Sequence, residues 1–401
     1  MIGRSVLIVG GGIAGPALAF WLLRYGFSPT IVERSERLRT EGYVIDFWGL
    51  GYDIIEQMGL LPQVLKAGYQ LDEVRFVDEV GRRKAGLDVE LFRAATGGRY
   101  TSLPRGKLSS ILHEAIAERA SVRWGDGPTS IVQQGDGVLV KFQSGESQLF
   151  DVVVGADGLH SVVREHVFGK SQRFEKYLGF RVAAFEAAGY RKRDERAYVN
   201  FGTPGLQVGR LSLRDDRTMF LLVSAESDPG EGALDLRATK DYLHARFGDM
   251  GWELPDILSA ADSCPEIYLD RVSQIRMPHW YRGYVGLLGD AAYAPSLLAG
   301  QGSALAVVGA YVLAAELARG IAPQGAFERY QRLLQPFITA KQDAAVKLAA
   351  SFAPDTRLGL WLRNAAVRAL AIPTLGKLAM RKSFSDDDLR LPTYAARADE
   401  A

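Results

Sequence analysis

The chain has 401 residues, 47% hydrophobic and 24% charged, enough for a large core and about two domains. Lys plus Arg number 48 and Asp plus Glu 47, so the formal net charge of +1 excludes a broad electrostatic grip on nucleic acid. The single cysteine, Cys264, excludes an intrachain disulfide or cysteine-cluster metal site and fits a reducing, cytoplasmic setting; the five histidines lack metal-ligand spacing, and no uninterrupted apolar run spans a membrane.

Ser5 to Val9 is a short apolar run that reads as a buried parallel strand. It feeds into Gly10-Gly11-Gly12-Ile13-Ala14-Gly15, then a helical stretch from about Pro16 to Tyr25, then a β-branched run, Thr30 to Val32, ending in Glu33. This order of strand, glycine turn, helix, strand and acid wraps the adenosine diphosphate half of a dinucleotide. Gly10 permits a tight turn, Gly12 close approach of a pyrophosphate, and Gly15 close packing of helix on sheet. The helix N-terminus, with Ile13 and Ala14 in its approach, offers free N–H groups to phosphate. Glu33 suits ribose hydroxyls and repels a 2′-phosphate, which points to FAD or NAD rather than NADP, with Arg34 beside it softening that preference. Arg4 and the apolar residues to Leu23 have the outline of a secretory signal, but three successive glycines interrupt it.

An arginine-rich loop, Arg34 to Arg39, leads to Tyr43-Val44-Ile45-Asp46, and a helix is expected over 52–58, stopped by Gly59. Residues 71–99 alternate like short strands and read as an excursion from the nucleotide unit. Arg105 stands near the start of a helix to about Arg119, followed by strands at 122–124, 130–133 and 138–143. Phe150 to Val154 is a second buried strand running into Gly155-Ala156-Asp157-Gly158. Strand-like runs at 179–185, 196–201, 206–213 and 217–224 suggest an antiparallel sheet, with a helix at 239–247. Gly283 to Leu288 is a third strand entering Gly289-Asp290; Gly300-Gln301-Gly302 then opens an apolar helix over 303–318. Helices are expected at 326–339, 341–352 and from Arg357 to about Met380, the last an amphipathic helix that reads as a brace across the domains or a surface-seeking face.

The three strand-to-glycine junctions, Gly10-x-Gly12-x-x-Gly15, Gly155-Ala156-Asp157-Gly158 and Gly289-Asp290, stand in an order and separation that resembles the p-hydroxybenzoate hydroxylase family. These are single-component FAD monooxygenases, and the tetracycline-inactivating and aromatic polyketide hydroxylases are similar. The resemblance covers about residues 1–345. It implies an α/β fold: a Rossmann-like FAD-binding domain of 1–70, 100–172 and 268–345, an inserted, mostly antiparallel substrate domain of 71–99 and 173–267, and a C-terminal helix and tail, 346–401.

The resemblance also implies parts. Asp290 accepts a hydrogen bond from the FAD ribityl chain, Asp157 lies near the pyrophosphate, and Arg105 contacts the cofactor. Asp46 is similar to an aspartate near FAD, and Arg39 to a proposed NADPH-contacting arginine, in the tetracycline-inactivating branch. Pro295, Gly300, Gln301 and Gly302 face the pyrimidine edge of the flavin, where a helix N-terminus stabilises negative charge. FAD is held tightly and NADPH or NADH visits, since no second glycine-rich fold is present. The implied cycle is flavin reduction, O2 addition at C4a, and transfer of the distal oxygen of the hydroperoxide to an aromatic or polycyclic small molecule, with no catalytic side chain required. Phe180, Arg181, Gln207, Arg210 and Tyr293 are candidate substrate residues, with Phe201 and Tyr268 as further aromatic candidates; core packing or solvent exposure explains each equally well. The other readings are a flavin reductase or desaturase, a non-catalytic flavin-binding protein, and a halogenase, whose Trp-x-Trp-x-Ile-Pro signature is missing.

Overall fold

Apolar runs of four or five residues, each meeting a glycine, become the central strands of the first sheet. The computed structural model describes residues 4–38, 43–227, 234–320, 322–372, 374–376, 389–392 and 394. It begins with β1 (Ser5–Val9), α1 (Ala14–Arg24) and β2 (Ser28–Glu33). Next come β3 (Val44–Trp48), α2 (Leu50–Gln57), α3 (Leu61–Ala67), β4 (Glu73–Val77), β5 (Arg83–Asp88), α4 (Glu90–Ala95), β6 (Tyr100–Pro104) and α5 (Arg105–Glu114). β7 (Ser121–Trp124) precedes a meander of β8 (Pro128–Gln134), β9 (Gly137–Phe142) and β10 (Ser147–Phe150), then β11 (Val152–Gly155) and α6 (Val162–Phe168). The long strands β12 (Glu175–Ala188), β13 (Ala197–Thr203), β14 (Leu206–Ser212) and β15 (Arg217–Ala225) are followed by α7 (Leu236–Phe247), α8 (Leu254–Asp262) and β16 (Tyr268–Ile275). The chain continues through β17 (Tyr281–Arg282), β18 (Val285–Leu287), α9 (Asp290–Tyr293), α10 (Gly302–Ala318), α11 (Pro323–Phe352) and α12 (Arg357–Leu370).

The first sheet has the order β17-β18-β11-β1-β2-β7. Its core is parallel: Val6 lies beside Val152 and Pro29, and Val153 beside Val285. Val6, Leu7 and Ile8 are fully buried, as expected of a parallel strand covered on both faces. α10 is buried nearly all round, because α1, α2 and α11 pack against it. The strand expected from Phe150 breaks at Asp151, whose carboxylate accepts the Ser5 N–H at 2.6 Å and its hydroxyl at 2.8 Å.

The second sheet has the order β16-β12-β15-β14-β13-β4-β5, antiparallel except where β4 runs parallel to β13. Its outer face carries Phe185, Phe201, Phe220 and Leu222 beneath Leu243 and Phe247 of α7 and Leu254 and Ile257 of α8. Its inner face turns to the rest of the chain: Phe180, Val182 and Val223 pack on Leu298. α7 starts ahead of the expected Thr239 because Asp235 caps it, accepting the Ala238 N–H at 2.7 Å. The two helices expected at 326–339 and 341–352 are one, α11, with Pro336 inside. Gln342 crosses the expected gap and pins it to the core, donating to Ile275 O at 2.8 Å and Ala294 O at 3.1 Å.

Candidate cofactor and substrate site

The glycine turn is wedged between β11 and α1. Gly10 has φ +113°, and a Cβ there would overlap the Ala156 carbonyl; one at Gly15 would overlap the Gly10 carbonyl. At Gly12 the nearest atom to such a Cβ is Arg105 Nη2, 3.7 Å away, so this face of the turn opens onto a guanidinium.

Side chains from elsewhere hold the remaining polar groups of the turn. Glu33 Oε2 accepts the Gly11 N–H at 2.8 Å and Oε1 the Ser35 N–H at 2.9 Å. From α5, Ser109 donates to Gly12 O at 3.0 Å and His113 Nε2 to Gly11 O at 2.7 Å. A carbonyl only accepts, so Nε2 carries the proton, and burial lowers the imidazole pKa and favours the neutral form. With these carbonyls engaged, the first turn of α1, which has no side-chain cap at the buried Ile13, keeps its N–H groups for a ligand. Ala14 is buried in that turn, and Arg34 is exposed past Glu33.

Arg105 opens α5 and Asp290 opens α9. Neither side chain has a hydrogen bond or ion pair among the described residues. Burial raises the Asp290 pKa, and the Arg105 charge opposes that shift. The same charge acts on the hydroxyls of Tyr43 and Tyr268, whose rings lie 5.9 Å apart. Asp290 Oδ1 lies 3.4 Å from where a Gly302 Cβ would sit, so the starts of α9 and α10 adjoin.

The segment between them is unusual in its backbone. Pro295 O accepts from Gln274 Nε2 at 2.8 Å. Ser296 follows at φ +117°, only 4% exposed, its hydroxyl without a partner among the described residues. Gly300 is left-handed at φ +66°, and Gln301 gives α10 no side-chain cap. A small pocket of about 20 Å³ lies here, lined by Trp48, Leu50, Gly51, Gln301, Ala304 and Leu305 among others.

Two expected cofactor residues are engaged elsewhere, and one lies outside the described residues. Asp157 turns into its own helix, accepting from Ser161 Oγ at 2.6 Å and the N–H groups of Val162 at 2.7 Å and Val163 at 3.1 Å. Its backbone packs on Gly10, so it shapes the turn from behind. Asp46 accepts from Tyr100 and Ser102 hydroxyls, both at 2.6 Å, on the β3–β6 ribbon. Arg39 lies outside the described residues.

Residues 4–345 match the family described as FAD binding domain. The chain belongs to this family of flavin-dependent monooxygenases. A flavin-dependent monooxygenase of an unknown prokaryotic organism is 35% identical over 363 residues, covering 88% of this chain and 92% of its own. Another, from Legionella longbeachae serogroup 1 (strain NSW150), is 31% identical over 408 residues, covering 97% and 98%. The crystal structure of tetracycline destructase Tet(51) has a TM-score of 0.83 at 30% identity, covering 98% of this chain and 100% of its own. The cradle fits the family's FAD: a turn open at Gly12, Arg105 facing it and Asp290 near the start of α10, neither side chain paired among the described residues.

In this monooxygenase the parity of the second sheet sorts the expected substrate residues. Phe180 and Gln207 lie on the inner face. Arg181 and Arg210 do not, which corrects the expectation for both. Arg181 is one residue from Phe180 and points under α7, over the Tyr242 ring and 3.7 Å from Glu226. Arg210, three residues from Gln207, points under α8 and pairs with Asp194 at 2.8 Å and Glu253 at 3.0 Å. Phe201 also belongs to that outer core. Tyr293 is corrected too: its hydroxyl accepts from Tyr330 at 3.0 Å in the core, and a Cβ at Gly309 would overlap it.

The inner face also holds a residue without a sequence signal. Arg363 of α12 reaches Gln207, donating through Nη1 to Oε1 at 2.7 Å, with its guanidinium 4.5 Å from the centre of the Phe76 ring. Gln207 Nε2 in turn donates to the buried Asn200 at 3.4 Å.

Proposed function

We propose that this monooxygenase holds FAD tightly, takes reducing equivalents from NADPH or NADH, and uses O2 to hydroxylate an aromatic or polycyclic small molecule. The observation that carries this reading is that Arg105 and Asp290, neither paired among the described residues, lie near enough for the Arg105 charge to act on Asp290, together with an inner sheet face bearing both apolar and polar groups. Bound FAD supplies the chemistry: hydride acceptance and activation of O2 for transfer of one oxygen atom. The chain's own residues position and dry it. Arg105 and the first turn of α1 hold the pyrophosphate, while Glu33, with a lone pair left on each oxygen, accepts from ribose hydroxyls. Asp290 accepts from the ribityl chain. The start of α10, with Pro295, Gly300, Gln301 and Gly302, sets N–H groups toward the pyrimidine edge, where negative charge develops on reduction.

Substrate lies against Phe180 and Gln207, with Arg363 at its border. The similarity to a tetracycline destructase supports a polycyclic substrate. The test is a screen of aromatic and polycyclic compounds with the FAD-loaded protein, following NAD(P)H absorbance, O2 uptake and product mass. Consumption stimulated by substrate, with one oxygen atom gained, is expected. Consumption that no compound stimulates, or gain of chloride instead of oxygen, would overturn the reading.

A further inference from the structure

α12 rests one face on the protein and turns the other to water. Arg363 reaches inward to Gln207, and Val367 and Leu370 pack on Leu87 and Leu91. On the opposite side Leu358, Trp361 and Leu362 are 65%, 59% and 53% exposed, and Ile372, just past the helix, is 50% exposed. Their spacing, with Ala365 and Ala369 between them, keeps the five positions within α12 on one side of the helix for about 17 Å. This stripe cannot serve the core, because the packing face of the helix is already the other one.

The charged residues of α12 itself are all basic. They are Arg357, Arg363 and Arg368, with the exposed Asp355 two positions before Arg357, in a chain of net charge +1. Arg357 and Arg368 are exposed and flank the stripe along one edge. We propose that this face of α12 seats on an anionic phospholipid surface, its apolar side chains at the acyl boundary and its arginines among the headgroups. A second copy of the chain suits the face poorly. Two such faces brought together would join apolar stripes flanked only by arginines, with no acidic side chain on either helix to offset them. The inward contacts of Arg363, Val367 and Leu370 remain in place when the outer face is covered. The proposal stands apart from the catalytic reading.

The test is co-sedimentation of the full FAD-loaded chain with phosphatidylcholine vesicles, with and without phosphatidylglycerol. Sedimentation is expected only with phosphatidylglycerol and is weakened by salt. The double variant Leu358→Ser/Trp361→Ser should reduce it about tenfold or more, and Arg357→Glu/Arg368→Glu should abolish it. Both variants alter exposed side chains, and unchanged FAD content and unfolding temperature would establish that they fold. Absence of sedimentation with either vesicle, or sedimentation that both variants retain, would overturn the proposal. So would a concentration-dependent dimer that Leu358→Ser/Trp361→Ser dissociates while vesicles go unbound.

Discussion

Arg363 Nη1 donates to Gln207 Oε1 at 2.7 Å, so a side chain from α12 completes the inner face of a sheet built more than a hundred residues earlier. Its other acceptors, Phe352 O and Asn364 Oδ1, are neutral, and burial brings its pKa down to about 10, which leaves it cationic at neutral pH. A cation with no carboxylate partner among the described residues suits a substrate bearing a phenolate, enolate or carboxylate. Arg363→Met should raise KM for such a substrate about tenfold, the loss of one charge-assisted hydrogen bond. FAD content should stay at the wild-type level. Steady-state kinetics beside flavin absorbance checks both halves; an unchanged KM would remove Arg363 from the substrate site.

The glycines of the turn should separate by function. Gly10→Ala meets the Ala156 carbonyl at a φ of +113°, and should cost more than about 2 kcal/mol of stability. Gly12→Ala meets only Arg105 Nη2 at 3.7 Å, so the apoprotein should unfold at the wild-type temperature while FAD binding falls. Thermal unfolding of the apoproteins, followed by FAD titration, distinguishes the two. Equal destabilisation by both would refute the open face assigned to Gly12.

Glu33 and Asp290 should both matter for FAD retention, with different side effects. Asp290→Ala removes an acceptor that has no partner among the described residues, so FAD affinity should drop roughly 10- to 100-fold with the apoprotein intact. Glu33→Ala also frees the Gly11 and Ser35 N–H groups, and should destabilise the apoprotein by about 1–3 kcal/mol as well. Purification of either variant with full FAD occupancy would displace the cofactor from this cleft. Burial holds the Asp290 pKa up, and the ionised form is the stronger acceptor for a ribityl hydroxyl. FAD affinity should therefore rise with pH through the raised Asp290 pKa, a dependence that Asp290→Asn removes.

Two histidines should tilt the pH dependence of stability in opposite directions. His160 lies 2.9 Å from Asp270, whose hydrogen bond raises its pKa above 6.5. Its contribution is present below 6.5 and is lost as pH rises through the raised value. Burial lowers the pKa of His113, so the unfolded chain takes up a proton near 6.5 that the folded chain refuses. That contribution is present above 6.5 and is lost as pH falls toward the lowered value. Urea unfolding across this range should show His160→Gln removing a component that falls with pH and His113→Gln one that rises. Slopes of the same sign would contradict the assignments.

The nucleotide unit was legible because its evidence is local. An apolar run, the glycines and Glu33 lie within one stretch, and backbone geometry leaves little choice of residue where Gly10 meets Ala156. Gly289-Asp290 and Gly300 to Gly302 were visible for the same reason. Substrate residues were harder because both faces of the second sheet are covered. Polarity on a strand says nothing about which face a residue occupies, so Arg181 and Arg210 read like Gln207 although α7 and α8 cover them. Ser109, His113 and Arg363 reach partners 97, 102 and 156 residues away, a relation with no local trace. α8 did carry a trace in the helical spacing of Leu254, Ile257, Leu258 and Ala261, all buried.

The order of strands in the first sheet governs how the protein is made. β1 pairs with β2 at once, but its other edge waits for β11, and β11 waits for β18 at residues 285–287. A nascent chain therefore exposes one apolar edge of Val6 to Val9 until Val152–Gly155 has been made, a template for wrong pairing. Asp290 and the start of α10 emerge later still. In the proposed site FAD is therefore a late ligand, one that stabilises by mass action a chain whose strands have already met. Yield in cells should depend on flavin supply through survival of the finished protein rather than through the rate at which it folds.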